Sequence, residues 1–194
     1  HTRYGTVTGV QTCALPISRG STGEGASARS LLRAALAGEP VALTDDLVDR
    51  ARSEGVAPLV AARLGLGHPR LTDFVRADAA NSVVQDVGLE RALDALRAAN
   101  IPAVVFKGGA LAHSLYASSA LRPRVDSDVL VHPDTFGAAC EVLEANGFAR
   151  LPGVDSTLIL RERAFQLTLD NGLRATIDLH CAMNNRARFA GAMS

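Results

Sequence analysis

Two aspartates, Asp126 and Asp128, stand one residue apart at the start of an apolar run, residues 129–131. Because side chains in a strand alternate between its two faces, a strand here places both carboxylates side by side on one face. Two like charges at close range are unfavourable unless a cation lies between them. Carboxylates completed by substrate phosphates are the usual ligands of Mg²⁺ in proteins. Asp178, which lies in a later strand-like run, is expected to supply a third carboxylate from a neighbouring strand.

Upstream of this pair, Lys107, Gly108 and Gly109 follow a short apolar run and suit the binding of a nucleoside triphosphate. Glycines remove side chains, so backbone N–H groups and the start of the following helix can approach phosphate oxygens. Lys107 can meet a phosphate as a point charge, whereas an arginine offers a forked contact. Two arginines in the next loop are candidates for that contact: Arg122 and Arg124. The competing interpretations are an ordinary strand-to-helix turn and ordinary surface cations.

The D-x-D pattern is weak when it stands alone, because a solvated edge strand or a turn is its common setting. The apolar continuation after Asp128 instead indicates a buried strand, in which unpaired acids are costly. His180 follows Asp178 by two residues and therefore lies on the same face of its strand. We expect His180 to lean over the metal site or to bond a carboxylate.

The order of these segments resembles the DNA polymerase beta-type nucleotidyltransferase superfamily. Within that superfamily, the chain is similar to a poorly characterised bacterial group of nucleotidyltransferase family proteins. That group typically shows K-G-x-A-L, then R and D-x-D-L-L-V, then a carboxylate followed by L-H-W. The matching positions, spread over about residues 30 to 183, are Lys107-Gly108-Gly109-Ala110-Leu111, Tyr116, Arg122, Asp126-x-Asp128-x-Leu130-Val131 and Ile177-Asp178-Leu179-His180. Val129 and Cys181 stand where the group has Leu and Trp, and both swaps leave the expected ligands intact.

The resemblance implies an α+β fold, in which a mixed polymerase beta-like sheet is flanked by helices and follows a helical N-terminal subdomain. It implies a Mg²⁺-dependent nucleotidyltransferase that moves a nucleoside monophosphate from an NTP to a hydroxyl of an unidentified small molecule or protein. By resemblance, Asp126 and Asp128 hold the nucleotide-bound metal and share a second ion, which Asp178 completes while helping to activate the hydroxyl. The nucleotide-binding residues that it implies are Lys107, Gly108, Gly109, Arg122 and Arg124.

Two other functions remain open at this point. One is a non-catalytic or truncated nucleotide-binding module, because both ends of the chain read as incomplete. The other is a toxin-antitoxin type transferase that acts on protein or RNA. An intact acidic triad argues against the first alternative and does not separate the second.

Composition narrows the class of protein. The chain has 194 residues, of which 47% are hydrophobic and 21% charged, enough for a globular domain with a real core. Twenty basic residues balance twenty acidic ones, so there is no global basic field to bind a polynucleotide, and a small-molecule or protein acceptor is favoured. No apolar run approaches the ~20 residues of a membrane helix, and a cytoplasmic location is expected. The three cysteines show neither zinc-site nor disulfide spacing.

Hydrophobic spacing and capping residues predict the elements that position these groups. Helices are predicted over residues 27–37, 45–54, 58–64, 72–99, 110–117 and 133–146, and strands over 103–106, the D-x-D segment, 164–169 and 173–180. Thr44 and Thr72 are expected to cap the second and fourth helices, and the wholly apolar 103–106 to form a buried strand. Asp170-Asn171-Gly172 predicts a hairpin turn. The buried side of the long fourth helix is expected to draw on Phe74, Ala77, Val83, Val84, Val87, Leu89, Ala92, Leu93 and Leu96.

The first residues do not resemble a protein segment. Residues 7–17, VTGVQTCALPI, read as the conceptual translation of a common short-read sequencing adapter, because one codon choice reproduces the adapter string. Residues 1–17 are therefore predicted to be an artefact that takes no part in the fold. We expect a flexible lead-in at 18–26, a helical subdomain at 27–100 and a catalytic domain at 101–194 that is truncated at its C-terminus.

Overall fold

The predicted chemistry lies on a five-stranded sheet preceded by a group of helices. The computed structural model describes residues 27–152 and 162–182, so the predicted artefact at 1–17 and the lead-in at 18–26 lie outside the described residues. The α-helices of the described part are α1 (Ala28–Ala37), α2 (Asp45–Ser53), α3 (Ala57–Leu64), α4 (Pro69–Ala98), α5 (Lys107–Ser114) and α6 (Phe136–Ala145). Its strands are β1 (Ala103–Phe106), β2 (Ser127–Val131), β3 (Phe148–Arg150), β4 (Glu162–Thr168) and β5 (Arg174–His180). Short 3₁₀ turns cover Ser119–Leu121 and Pro133–Thr135.

The sheet has the strand order β1-β2-β5-β4-β3. β2 and β5 run parallel, whereas the other neighbouring pairs are antiparallel. The predicted turn joins β4 to β5: the Leu169 N–H donates to the Leu173 carbonyl at 2.8 Å, and Gly172 adopts a φ of 81°. A mixed sheet flanked by helices is the α+β class that the sequence predicts.

One face of the sheet is covered by α4 and α6, and this contact forms the larger hydrophobic core. The buried side chains of this sheet core are Leu89, Ala92, Leu96, Ile101, Val129, Val131, Ala139, Leu143, Phe148, Phe165, Leu167, Ile177 and Leu179. Since strand residues alternate, the buried Val129, Ile177 and Leu179 place Asp128, Asp178 and His180 on the opposite face. The polar chemistry therefore lies on the side of the sheet away from α4.

The N-terminal helices form a second cluster, the helical core, which contains Leu32, Leu47, Val48, Ala51, Ala57, Val60, Ala61 and Leu71. Ser27 and Thr44 cap α1 and α2 by accepting backbone N–H groups, as the sequence predicts for Thr44. α4 contributes to both cores, Leu71 to the helical core and Leu96 to the sheet core. The domain boundary at residue 100 stays a prediction. Among the described residues, no helix combines the length and apolar character that a membrane span requires.

The prediction that Thr72 caps the fourth helix is wrong. α4 begins at Pro69, with His68 as its N-cap. The Thr72 hydroxyl instead donates back to the carbonyls of Leu66 and His68, at 3.3 Å each. A proline at the first helical position needs no free N–H and is already fixed near a helical φ, so it starts the helix without a side-chain cap.

The prediction for residues 103–106 is correct in extent and wrong in burial. β1 is an edge strand of the described sheet, and Val104 is 60% exposed. A short apolar run has the same composition at the edge of a sheet as at its centre, so the sequence does not separate the two positions.

Two further expectations about helices need correction. α5 begins at Lys107 and ends at Ser114, so Gly108 and Gly109 lie inside its first turn and not before it. Val83 and Ala77, both expected on the buried side of α4, are exposed, Val83 to 62%. The buried side carries polar side chains at that level, and these bear directly on the site.

Candidate active site

The parallel pairing of β2 with β5 brings two of the predicted carboxylates together. In the register of these strands, Asp128 lies beside Asp178 and Leu130 beside His180. Asp128, Asp178 and His180 each offer one ligand atom, and these three atoms all lie within 4.8 Å of one another. Residues from two distant parts of the chain thus form a compact polar cluster on the face of the sheet opposite α4.

Asp128 is the best-held member of this cluster. It is 8% exposed, and its Oδ1 accepts a hydrogen bond of 2.6 Å from Lys107 Nζ. His180 Nε2 lies 3.0 Å from the same oxygen, and His180 Nδ1 lies 3.4 Å from Glu162 Oε2. The Phe106 ring packs edge-on against the His180 ring at 5.0 Å. His180 therefore bonds a carboxylate, one of the two placements expected for it.

Asp178 carries less compensation than Asp128. Burial raises the pKa of Asp178, and the negative charge of Asp126 raises it further, with smaller contributions from Asp128 and Glu162 against the opposing effect of His180. Asp126 lies just before β2 and is half-buried. The group of ligand atoms within 4.8 Å of one another does not include Asp126, so the structure brings together two of the three predicted carboxylates. The net field at Asp178 is negative, which is the field that a bound cation relieves.

The first turn of α5 borders this cluster. β1 pairs with β2 so that Phe106 lies beside Asp128, and α5 begins at the next residue. The backbone of Lys107 has a φ of 49°, a left-handed conformation that side chains of this size rarely adopt. The first N–H groups of α5, like those of any helix, have no partner within the helix, and no side chain caps them. A ligand with anionic oxygens suits this position.

Gly108 and Gly109 lack side chains for different structural reasons. A Cβ on Gly109 would lie 3.0 Å from Val105 Cγ1, so packing against β1 explains that glycine. A Cβ on Gly108 would meet only Arg122 Nη2, at an ordinary 3.8 Å. Arg122 itself lies over this turn, with Nε donating to the Gly108 carbonyl at 3.4 Å. Gly108 is thus the glycine whose open space faces Arg122 and not the core.

Arg124 occupies a different environment from Arg122. Its side chain is 3% exposed and forms an ion pair with Asp86 of α4, while Nε lies 3.4 Å from Ser127 Oγ. Asp86 also accepts a hydrogen bond of 2.8 Å from Ser119 and lies 3.0 Å from His113. A contact between Arg124 and a phosphate stays a prediction. It would involve a guanidinium group that is already buried and paired with the Asp86 carboxylate.

Four polar residues of α4 face the loop before β2, and the sequence interpretation missed all of them: Asn81, Ser82, Gln85 and Asp86. Asn81 Nδ2 donates to the Arg124 carbonyl at 2.6 Å, and Ser82 and Gln85 are buried on the same helix. Their spacing is the signal that was available: positions 82 and 85 continue the buried stripe of Leu89, Ala92 and Leu96 with polar types. Buried polar groups need partners, which here are found in the loop before β2.

The cluster fits a divalent cation by the chemistry of its donors. Two carboxylates and an imidazole converge. Burial and the negative charge of Asp126 raise the pKa of Asp178. Oxygen donors suit Mg²⁺, and the start of α5 borders the cluster, since Lys107 Nζ lies 2.6 Å from Asp128 Oδ1. The described residues that converge for such an ion are Asp128, Asp178 and His180, and the role of Asp126 as a ligand stays a prediction.

Comparison with known proteins gives the chain a family. No curated protein matches it. Among solved structures, it is similar to Cid1 in complex with the UTP analog UMPNPP, with 18% identity, a TM-score of 0.33 and coverage of 64% of this chain and 39% of that one. It is also similar to the Cid1 poly(U) polymerase crystal structure, with 20% identity, a TM-score of 0.27 and coverage of 61% and 32%. The chain thus spans less than half the length of either protein. The profile of the uncharacterised nucleotidyltransferases matches residues 42–192, and the chain belongs to that family.

Proposed function

We propose that this chain carries the catalytic site of a Mg²⁺-dependent nucleotidyltransferase, which moves a nucleoside monophosphate from an NTP to a hydroxyl. The observation that carries the proposal is the convergence of Asp128, Asp178 and His180 beside the uncapped start of α5. A cation site next to a site for anionic oxygens is what a metal-bound triphosphate needs. Membership of the nucleotidyltransferase family supports the same reaction class.

The three aspartates are proposed to act as the metal ligands. Asp126 and Asp128 would hold the nucleotide-side ion, and Asp178 would complete the ligands of a second ion. When bound, Mg²⁺ supplies positive charge that offsets the negative charge developing on the oxygens of the transferred phosphoryl group. His180, held between Asp128 and Glu162, fixes the orientation of Asp128. A ligand oriented by such a hydrogen bond loses less freedom when it binds.

The phosphate side of the site is assigned to the start of α5. Lys107 Nζ bonds Asp128, and its side chain is half-exposed, so it can exchange that carboxylate for a phosphate oxygen. Arg122 lies over the same turn, and its bond to the Gly108 carbonyl uses Nε and not the Nη groups. Gly108 leaves the space into which a phosphate fits. Arg124 is proposed to affect phosphate binding indirectly, by holding in place the loop that it shares with Arg122.

The transfer itself needs one proton acceptor. The acceptor hydroxyl oxygen forms a bond to the α-phosphorus while the bond to the bridging oxygen breaks, and pyrophosphate leaves with that electron pair. The hydroxyl proton passes to the Asp178 carboxylate, which lies beside Asp128 in the register of β2 and β5.

The acceptor is proposed to be a small molecule or a protein hydroxyl. Twenty basic and twenty acidic residues leave no net charge to attract a polynucleotide. A cytoplasmic location, where Mg²⁺ and NTPs meet, belongs to the same proposal.

The experiment is to incubate the protein with Mg²⁺, a cell lysate and each of the four NTPs labelled at the α-phosphate, and to measure labelled product and pyrophosphate together. We expect both to form with at least one NTP, and neither to form with Asp128→Asn. Product without dependence on Asp128 would mean that another site, or another protein, performs the reaction. Tight Mg–NTP binding with no transfer would instead favour the nucleotide-binding module.

A further inference from the structure

One buried side chain joins the two strands that carry the carboxylates. Gln85 of α4 is 2% exposed, and its Nε2 donates to the Val125 carbonyl at 3.0 Å. Its Oε1 accepts the backbone N–H of Thr176 at 3.2 Å. Val125 immediately precedes Asp126, and Thr176 lies two residues before Asp178. A single amide group therefore bridges the backbones that lead into the proposed metal ligands.

The position of this bridge in the sheet is informative. The paired register of β2 and β5 begins at Ser127 and Ile177, so Val125 and Thr176 lie just before the first pair. A carboxamide offers one donor and one acceptor, as a peptide group does. Gln85 thus extends the β2–β5 ladder by a side-chain rung at the end where Asp126 must stay close to Asp178.

A glycine on the same helix allows this bridge to form. A Cβ added at Gly88 would lie 2.2 Å from the Cβ of Ala175, so α4 contacts β5 too closely for any side chain there. Gly88 follows Gln85 by three residues and therefore lies on the same side of α4. This close approach brings the Gln85 amide within reach of the β5 backbone.

We propose that Gln85 is a positioning residue, which holds the Asp126 end of β2 at the distance from Asp178 that metal binding requires. The inference rests on the proposed function, since it assumes that these carboxylates share metal ions. Removing a group that orients metal ligands typically weakens metal binding about tenfold or more. A side chain that merely fills space changes stability and leaves metal affinity alone.

The test measures Mn²⁺ binding to the protein by electron paramagnetic resonance, together with the melting temperature without metal. Gln85→Met keeps the length of the side chain and removes both hydrogen bonds. Gln85→Glu keeps the acceptor for Thr176 and sets a negative oxygen against the Val125 carbonyl. Ser82→Ala is the matched control, because Ser82 is buried on the same helix and its hydroxyl hydrogen-bonds to Ser119 in the 3₁₀ turn before β2. Asp128→Asn reports on the metal site itself.

We expect both Gln85 variants to bind Mn²⁺ about tenfold more weakly or worse, while Ser82→Ala binds as the wild type does despite a lower melting temperature. If Gln85→Met fails to fold, Gln85→Glu gives the same reading, because it keeps the bond to Thr176. Equal Mn²⁺ affinity in wild type and Gln85→Met, with Asp128→Asn defective, overturns this inference and spares the proposed function. Mn²⁺ binding that ignores Asp128→Asn, or no binding at all, overturns both.

Discussion

Two carboxylates on neighbouring elements show how differently this fold treats buried negative charge. Asp86, on α4, is paired with the buried Arg124 and accepts a hydrogen bond from Ser119. Burial raises the pKa of Asp86, but the hydrogen bonds from Arg124 and Ser119 and the Arg124 charge outweigh burial, so the pKa lies below its ordinary value. Asp178, on β5, has other carboxylates around it, and burial and Asp126 hold its pKa above the ordinary value.

The difference teaches which group of charges belongs to the architecture and which to the chemistry. In the Asp86–Arg124 pair, the protein supplies the counter-charge, so the two charges balance without a ligand, although the buried Arg124 Nη1 has no hydrogen-bond partner among the described residues. In the Asp126, Asp128 and Asp178 cluster, the protein supplies Lys107 and His180 to Asp128 and leaves the field at Asp178 negative. Perturbed carboxylates with an unfilled need for positive charge are typical of functional sites. Substitutions on the two sides should therefore separate stability from activity.

The largest expected effect is on catalysis. Asp128→Asn removes the charge of a metal ligand that acts mainly on the transition state, so turnover should fall on the order of a hundredfold or more. The chain should remain folded, since asparagine keeps the shape of the side chain. Labelled-NTP turnover and the melting temperature measure the two quantities in one preparation.

The matched control for this substitution is Asp134→Asn, at the opposite end of β2, where the aspartate is exposed. It should leave turnover unchanged. A similar fall in both variants would place the loss outside the proposed site.

The second expected effect is on folding. Asp86→Asn leaves the Arg124 guanidinium buried without its counter-charge, so the free energy of unfolding should fall by about 2–3 kcal/mol. Urea unfolding measures this loss. Mn²⁺ affinity should stay near that of the wild type, because Asp86 touches none of the proposed ligands. A stable Asp86→Asn protein that has lost its metal site would reverse the roles assigned to the two carboxylates.

A third effect has the opposite sign. Because the pKa of Asp178 is higher in the folded chain than its ordinary 3.8, ionising it costs stability as the pH rises from 3.8 through the raised value. Without metal, Asp178→Asn should therefore raise the melting temperature at neutral pH, and the gain should vanish below pH 3.8. Differential scanning fluorimetry across pH measures the trend.

Mg²⁺ should invert this ranking, because a bound cation stabilises the wild type and loses a ligand in Asp178→Asn. A variant less stable than the wild type at neutral pH without metal would show that Asp178 is compensated after all, as Asp86 is.

The smallest effect concerns Gly108 and Gly109, the two glycines in the first turn of α5. Gly108→Ala places a methyl group where only Arg122 is near, so stability should stay level or rise by up to about 1 kcal/mol, the helix propensity difference. Affinity for Mg–NTP should fall severalfold because the methyl group fills phosphate space.

Gly109→Ala is the comparison for that variant. Its Cβ would press on Val105 at 3.0 Å, so it should lower stability first. Calorimetric titration and thermal unfolding of both variants distinguish the two glycines. Equal NTP affinity in Gly108→Ala and wild type would remove the start of α5 from the proposed site.

Much of the site was accessible to prediction because it depends on neighbours in sequence. Strand alternation placed Asp178 and His180 on the face opposite Ile177 and Leu179, as the structure has them. The hairpin turn before β5 and the Thr44 cap follow from the same local rules. The errors are also local in origin: Thr72 is a favourable capping residue, but α4 begins three positions earlier at Pro69.

Residue types and spacing by themselves determined that this chain has three carboxylates, a lysine with two glycines, and the α+β elements to carry them. Only the tertiary structure decided that β5 inserts beside β2 with Asp178 next to Asp128, and that β1 lies at an edge. It alone decided that Arg124 pairs with Asp86 and that Gln85 spans the two strands. The physical reason is that alternation and capping act between near neighbours along the chain. Strand pairing and charge compensation depend on which distant segments pack together.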